Sequence, residues 1–364
     1  MRMAIALGML MGSAISALGL PLNAQGPVKT QYGQVIGDVT GKDRNISLYR
    51  GIPYAKPPMG ELRWAPPEPP DSWKGVYTAR RFSPVCPQVP NPFGGVSADT
   101  AMSEDCLYLN IWTPATSHKD RYPVMVWIHG GGFSIGAGSL PLYDGTRLAE
   151  RGVVLVTFNY RLNVFGGFAH PQLSAASRHG ASGNYGLLDQ VAALDWVQDN
   201  IARFGGDPEN VTIFGESAGA RSVSLHLASP LSRGLFHKAI AQSGALRDTT
   251  GTLAERGAAG MALADALGAD ELPNPLDYLR WLPPSDFPDL GSFPSNPIVD
   301  GLFMPDNPES IYSRGEQANV PLLAGTNRDE GTMFMVRSPV GSVSQDESLV
   351  RERSGAPSED WPRT

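Results

Sequence analysis

Between about residues 100 and 245 the chain alternates short apolar runs with stretches of helical period. Val124-Met125-Val126-Trp127-Ile128, Val153-Val154-Leu155-Val156-Thr157-Phe158 and Val211-Thr212-Ile213-Phe214 read as buried strands, with Ala239-Ile240-Ala241 as a weaker fourth. Leu187, Leu188, Val191, Leu194, Val197, Ile201 and Phe204 recur at helical spacing and predict a helix from about Gly186 to Phe204, ended by Gly205-Gly206-Asp207-Pro208. Continuous apolar strands separated by amphipathic helices imply a mostly parallel central sheet with helices on both faces, an α/β architecture. Residues 250–315 break this rhythm with Ala-rich helical pieces and a Pro-rich stretch from Pro283 to Pro308, and read as an insertion or cap. Pro321-Leu322-Leu323-Ala324-Gly325 reads as a return to a short buried strand. From Ser338 to Thr364 the periodicity is gone, and the composition is too polar to fold alone.

The first residues follow a different logic. Ala4 to Leu22 carry no charge, Arg2 precedes them, and Leu22-Asn23-Ala24 presents a small residue for cleavage. A cleaved leader over residues 1–24 is favoured over a membrane anchor or a buried helix, which leaves no stable membrane span after cleavage. The domain would then run over 25–337, with 338–364 as a disordered tail, in a secreted or periplasmic setting. An oxidising compartment favours a bridge between the two cysteines, Cys86 and Cys106, over two buried thiols.

Composition narrows the field further. The chain has 364 residues, 41% of them apolar and 18% charged, which excludes a disordered acidic protein and a polytopic membrane protein. The net charge of −7 argues against nucleic acid as a partner. With 41 Gly and 32 Pro, the chain is rich in turns. Two cysteines are too few for a disulfide scaffold or a four-thiolate zinc site, but enough for one bridge.

The chemistry concentrates in two glycine-flanked stretches. Gly215-Glu216-Ser217-Ala218-Gly219 follows the strand ending at Phe214 and precedes a helical run from Ala220 to Leu227. This is the strand–turn–helix context in which G-x-S-x-G lifts a serine hydroxyl above a sheet. The Ala218 amide would start the helix, where it can hold an oxyanion. His129-Gly130-Gly131-Gly132-Phe133 follows a second strand, and its bare amides at Gly131 and Gly132 are further oxyanion donors. A phosphate loop would place Lys and Ser/Thr after the glycines, and neither is present.

These stretches and their neighbours resemble the type-B carboxylesterases of the α/β-hydrolase superfamily, a group that includes the cholinesterases. The matching strings are Gly51-Ile52-Pro53-Tyr54-Ala55, Ser103-Glu104-Asp105-Cys106-Leu107-Tyr108-Leu109-Asn110, Asn159-Tyr160-Arg161-Leu162, Gly186-Leu187-Leu188-Asp189-Gln190 and the serine turn, over about Val28 to Phe334. The resemblance implies Ser217 as nucleophile and Glu330 as the acid that orients a histidine. It also implies Gly131, Gly132 and Ala218 as the oxyanion hole, Glu216 as electrostatic support, and a Cys86–Cys106 loop. Arg63 with Glu104, and Arg161 with Asp189, match structural ion pairs. The implied reaction is two-step acyl transfer on a small-molecule carboxylic ester, without cofactor. Cholinesterases carry a tryptophan for the quaternary ammonium where this chain has Val96, so the resemblance does not extend to choline esters.

One part of the pattern is missing. In this fold the triad order is serine, acid, histidine. The six histidines, His118, His129, His170, His179, His226 and His237, all precede Glu330. The triad histidine is absent, and the fold is expected to lack its final C-terminal strands and helix. Three readings compete: a truncated or frameshifted esterase, a non-catalytic binding or adhesion protein on the same fold, and activity completed by a partner chain. The first is favoured, because a binding protein has no use for a strained serine turn. Without those C-terminal strands the one near Leu322 is expected to present an open edge and exposed apolar surface, which predicts poor solubility, and no turnover is expected of this chain.

Overall fold

The computed structural model describes residues 20–91, 95–244, 251–269, 271–287 and 290–330. Most of the expected leader and all of the expected tail lie outside the described residues. Leu20–Ala24 are described: Leu22 is 1% exposed and donates its amide to Ala115, and the Asn23 amide donates to the Ser47 hydroxyl.

A mixed eight-stranded sheet forms the middle of the fold. Its strands are β1 (Asp38–Thr40), β2 (Ile46–Pro53), β3 (Tyr108–Thr113), β4 (Tyr122–Ile128), β5 (Val154–Phe158), β6 (Gly206–Glu216), β7 (Lys238–Gln242) and β8 (Leu322–Gly325). Across the sheet they run β8-β7-β6-β4-β5-β3-β2-β1. From β5 to β8 all neighbours are parallel: Val124 lies beside Val154 and Val211, and Ala239 beside Ile213 and Leu322. On the other side, β3, β2 and β1 are antiparallel, with Leu109 opposite Phe158 and Leu48 opposite Trp112. The parallel half is the part the apolar runs predict. The antiparallel strands escape a periodicity reading because β2 is interrupted: its register shifts between Tyr49 and Ile52, around Gly51 at φ 71°.

Helix α1 (Tyr185–Asn200) begins one residue before its predicted start and passes into a 3₁₀ turn, Ile201–Phe204, which Gly205 ends at φ 75°. Helix α2 (Ala218–Ala228) follows β6, and α3 (Leu253–Ala266) opens the cap with a capping box between Thr252 and Glu255. The large core, including Val126, Ile213, Val197 and Val223, fills one side of the sheet. On the opposite side a smaller cluster gathers Ile46, Leu48, Trp112, Ala149 and Leu155.

The strand at 321–325 agrees with the expected open edge and corrects the expectation of a buried strand. It is present and paired to β7, but it is an edge, not a buried element: Leu322 is 47% and Leu323 66% exposed. Apolar composition alone cannot tell an inner strand from an edge strand, because only neighbours decide exposure.

The two expected ion pairs are formed and buried. Arg63 donates through Nε to Glu104 at 2.7 Å, through Nη2 to the second Glu104 oxygen, and through Nη1 to the Leu279 carbonyl at 2.7 Å. Arg161 clasps Asp189 at 2.8 and 2.7 Å. Cys86 and Cys106 are bridged.

Candidate active site

Strands β4, β6, β7 and β8 deliver the site from their C-terminal ends, the edge at which parallel sheets place their ligands. Ser217 leaves β6 with φ 54° and ψ −119° and starts α2. For a non-glycine residue this conformation costs on the order of 1–3 kcal/mol. The crossing is too tight for flanking side chains: a Cβ on Gly215 would lie 2.6 Å from the Ile128 carbonyl oxygen, and one on Gly219 would run into the same oxygen. Sequence reasoning asks for glycine at both positions, and the packing gives the reason. The Ser217 amide donates to the Gln242 carbonyl at 2.9 Å, tying the turn to the end of β7.

The glycine loop after β4 lies against this turn. A Cβ on Gly130 would meet the Glu216 carbonyl at 2.8 Å and the Ser217 Cβ at 3.3 Å. Gly131 and Gly132 have φ 103° and 64°, and a side chain on Gly131 would strike the Ile135 carbonyl. The carbonyls of the loop are turned away: Gly131 accepts from the Ser134 and Ile135 amides, and Phe133 accepts from Asn163 at 2.7 Å. Ala218 is the first residue of α2, where an amide has no partner within its own helix.

Glu330 stands across β7 from the serine turn. One of its oxygens, Oε1, accepts from the Ser243 hydroxyl and from the Asn327 amide at 2.7 Å, and these bonds, the hydroxyl's first, hold its pKa below the ordinary value. Ser243 has φ 56° and donates its amide to Gly325 at 2.8 Å. It is a residue that sequence reasoning missed: it follows a weak strand with no motif around it, and only the pairing of β7 with β8 brings it to the acid. Glu216 has its pKa raised, first by desolvation and then by the negative charge of Glu330.

All six histidines are among the described residues, and none is hydrogen-bonded to Ser217 or Glu330. His129 is fully buried, stacked 4.2 Å from Tyr160, with Nδ1 at 2.9 Å from the Gly130 carbonyl. His226 is buried between Ser232 and Gln190 at 2.7 and 2.8 Å. Burial pushes their pKa values down to about 4 and about 3. His118, His170, His179 and His237 engage Arg203, Gln172, Arg178 and Val211.

Beside the site a cavity of about 650 Å³ opens over β6, β7 and β8. Phe214, Ile240, Leu323 and Trp127 line its apolar part, and Glu216, Ser243 and Asn327 its polar end. Among the described residues no cluster of His, Cys, Asp and Glu is arranged to hold a metal ion.

Comparison with known proteins decides the family. The carboxylesterase family profile matches residues 24–357. The chain belongs to the carboxylesterase family. It is 43% identical over 355 residues to the fumonisin B1 esterase of Sphingopyxis macrogoltabida, covering 96% of this chain and 65% of that protein. It is 43% identical over 337 residues to the para-nitrobenzyl esterase of Bacillus subtilis strain 168, covering 88% and 66%. The crystal structure of a Geobacillus stearothermophilus carboxylesterase at pH 6.8 superposes with a TM-score of 0.78 at 40% identity, over 90% of this chain and 69% of that one. The carboxylesterase chain described here thus spans about two thirds of the length of these relatives. The α/β-hydrolase fold expected from the resemblance is the fold observed.

Proposed function

We propose that this carboxylesterase-family chain carries the acyl-transfer machinery of a serine ester hydrolase, with Ser217 as nucleophile. The Gly131, Gly132 and Ala218 amides serve as oxyanion donors, and Glu330 as the acid that orients the base. The observation that supports this best is the strained Ser217 turn set directly against the Gly130–Gly132 loop. A binding protein would keep neither the strain nor the close approach. Attack by Ser217 on an ester carbonyl places negative charge on the carbonyl oxygen, where losing one amide donor costs about 3 kcal/mol. Glu216, beside the nucleophile, has its pKa raised above the ordinary carboxylate value by desolvation first and by the charge of Glu330 second. The substrate class is a small-molecule carboxylic ester, in keeping with the esterases it resembles. Val96, 3% exposed and packed with Val85 and Ala137, offers no aromatic face for a quaternary ammonium.

A serine hydroxyl is a poor nucleophile without a base, and each imidazole of this chain is engaged elsewhere. The chain is therefore read as inactive alone and responsive to an added base. Hydrolysis of p-nitrophenyl acetate, measured with and without free imidazole, tests this. Imidazole is expected to raise the rate at least tenfold over the same chain with Ser217→Ala. Equal imidazole-dependent rates in both chains would refute the assignment of Ser217. Turnover without imidazole that Ser217→Ala abolishes would refute the missing base.

Export belongs to the same reading. Residues 1–24 are proposed as a leader and 25–337 as the hydrolase domain, and the Cys86–Cys106 bridge suits an oxidising compartment. Among the described residues no helix is long and apolar enough to cross a membrane.

A further inference from the structure

We propose that Arg256 is a positioning residue for the oxyanion loop, acting through the cap from a distance. Its role in ester turnover rests on the function proposed above, whereas the mechanical link does not. Arg256 lies on α3, 6% exposed, and burial lowers its pKa to about 10. A guanidinium buried without a carboxylate is costly unless its donors are well used. Here they are used on two separate supports. Nη1 donates to the Gly167 carbonyl at 3.1 Å and Nη2 to the Asn296 carbonyl at 2.7 Å, and Phe293 lies 5.9 Å from the guanidinium carbon.

Each support leads to the glycine loop. Gly167 ends the short helix Asn163–Gly167, whose first amide donates to Phe133 at 2.7 Å. Asn296 follows Ser295, whose hydroxyl lies 2.8 Å from the Ser134 hydroxyl. Ser134 in turn reaches the Gly132 carbonyl at 3.3 Å and donates its amide to Gly131 at 3.1 Å. Asn296 also accepts from Arg221 of α2 at 3.1 Å, so this cap segment is braced against the nucleophile helix as well. At the apex of the loop the Cβ direction of Gly132 is open, with nothing within 4 Å. Its amides are aimed by their flanks, and one guanidinium spans the two flanking supports.

Hydrogen exchange of the peptide covering 130–136 tests the link in the full chain, with melting curves to confirm folding. Arg256→Met and Ser295→Ala are expected to speed exchange there several-fold. Arg256→Lys is expected to fall between, since one ammonium serves two separated carbonyls poorly. Unchanged protection of this peptide in folded Arg256→Met and Ser295→Ala would overturn the proposal. If Arg256→Met does not fold, Ser295→Ala decides alone, and normal protection in it overturns the proposal. In the imidazole-supplemented ester assay the same variants should lose kcat several-fold with KM nearly unchanged. Faster exchange in a chain with no Ser217-dependent turnover would uphold the link while refuting the esterase reading.

Discussion

Ser217, Gly131 and Glu330 differ in how much of their local geometry the sequence announces. Ser217 and the glycines were legible because a sharp strand-to-helix turn and a loop of bare amides demand particular residue types at fixed spacing. Glu330 was legible only through the family pattern, and Ser243 not at all, because its contact with the acid joins two strands far apart in the chain. The buried histidines carry a consequence at this scale. His129 and His226 titrate near 4 and 3 in the fold, against 6.5 ordinarily. Their folded pKa values are depressed, so the stability they contribute is present above about pH 6.5 and lost as pH falls toward the folded values. Each removes about 1.4 kcal/mol per pH unit in that window. The urea midpoint should therefore drop between about pH 7 and about pH 5, and His226→Gln should remove about half of the slope due to this pair. A wild-type midpoint that does not move with pH over that range would contradict the burial argument.

Among the elements, strands β4 to β7 and helix α1 were readable because both faces of a parallel strand, and one stripe of a covering helix, must be apolar. Strands β1 to β3 were not, since a bulge and a mid-strand glycine break the pattern in β2 and the partners of β3 lie on both sides in sequence. The edge strand β8 is the element most exposed to error and to misassembly. Among the described residues it pairs with β7 alone, and its Leu322 and Leu323 are exposed, the arrangement that invites a second chain. Leu323→Lys should reduce self-association, seen as lower light scattering at equal concentration with the circular dichroism spectrum retained. Scattering as high as in the wild type would show that aggregation starts elsewhere.

At the scale of the whole molecule, long-range ties hold the loops around the sheet. The Cys86–Cys106 bridge closes a separation of 20 residues, and its loss through Cys86→Ser should lower unfolding free energy by about 3 kcal/mol in urea titrations. A loss near zero would contradict the loop-closure argument for this bridge. By itself the sequence determined the family, the parallel half of the sheet, the serine turn and its glycine loop, because each follows from local sterics and hydrophobic period. Only the tertiary structure decided between a buried and an open β8, that Ser243 bonds Glu330, and that a buried arginine joins cap to loop. Exposure and through-space hydrogen bonding depend on which distant segments become neighbours, and no local pattern encodes that.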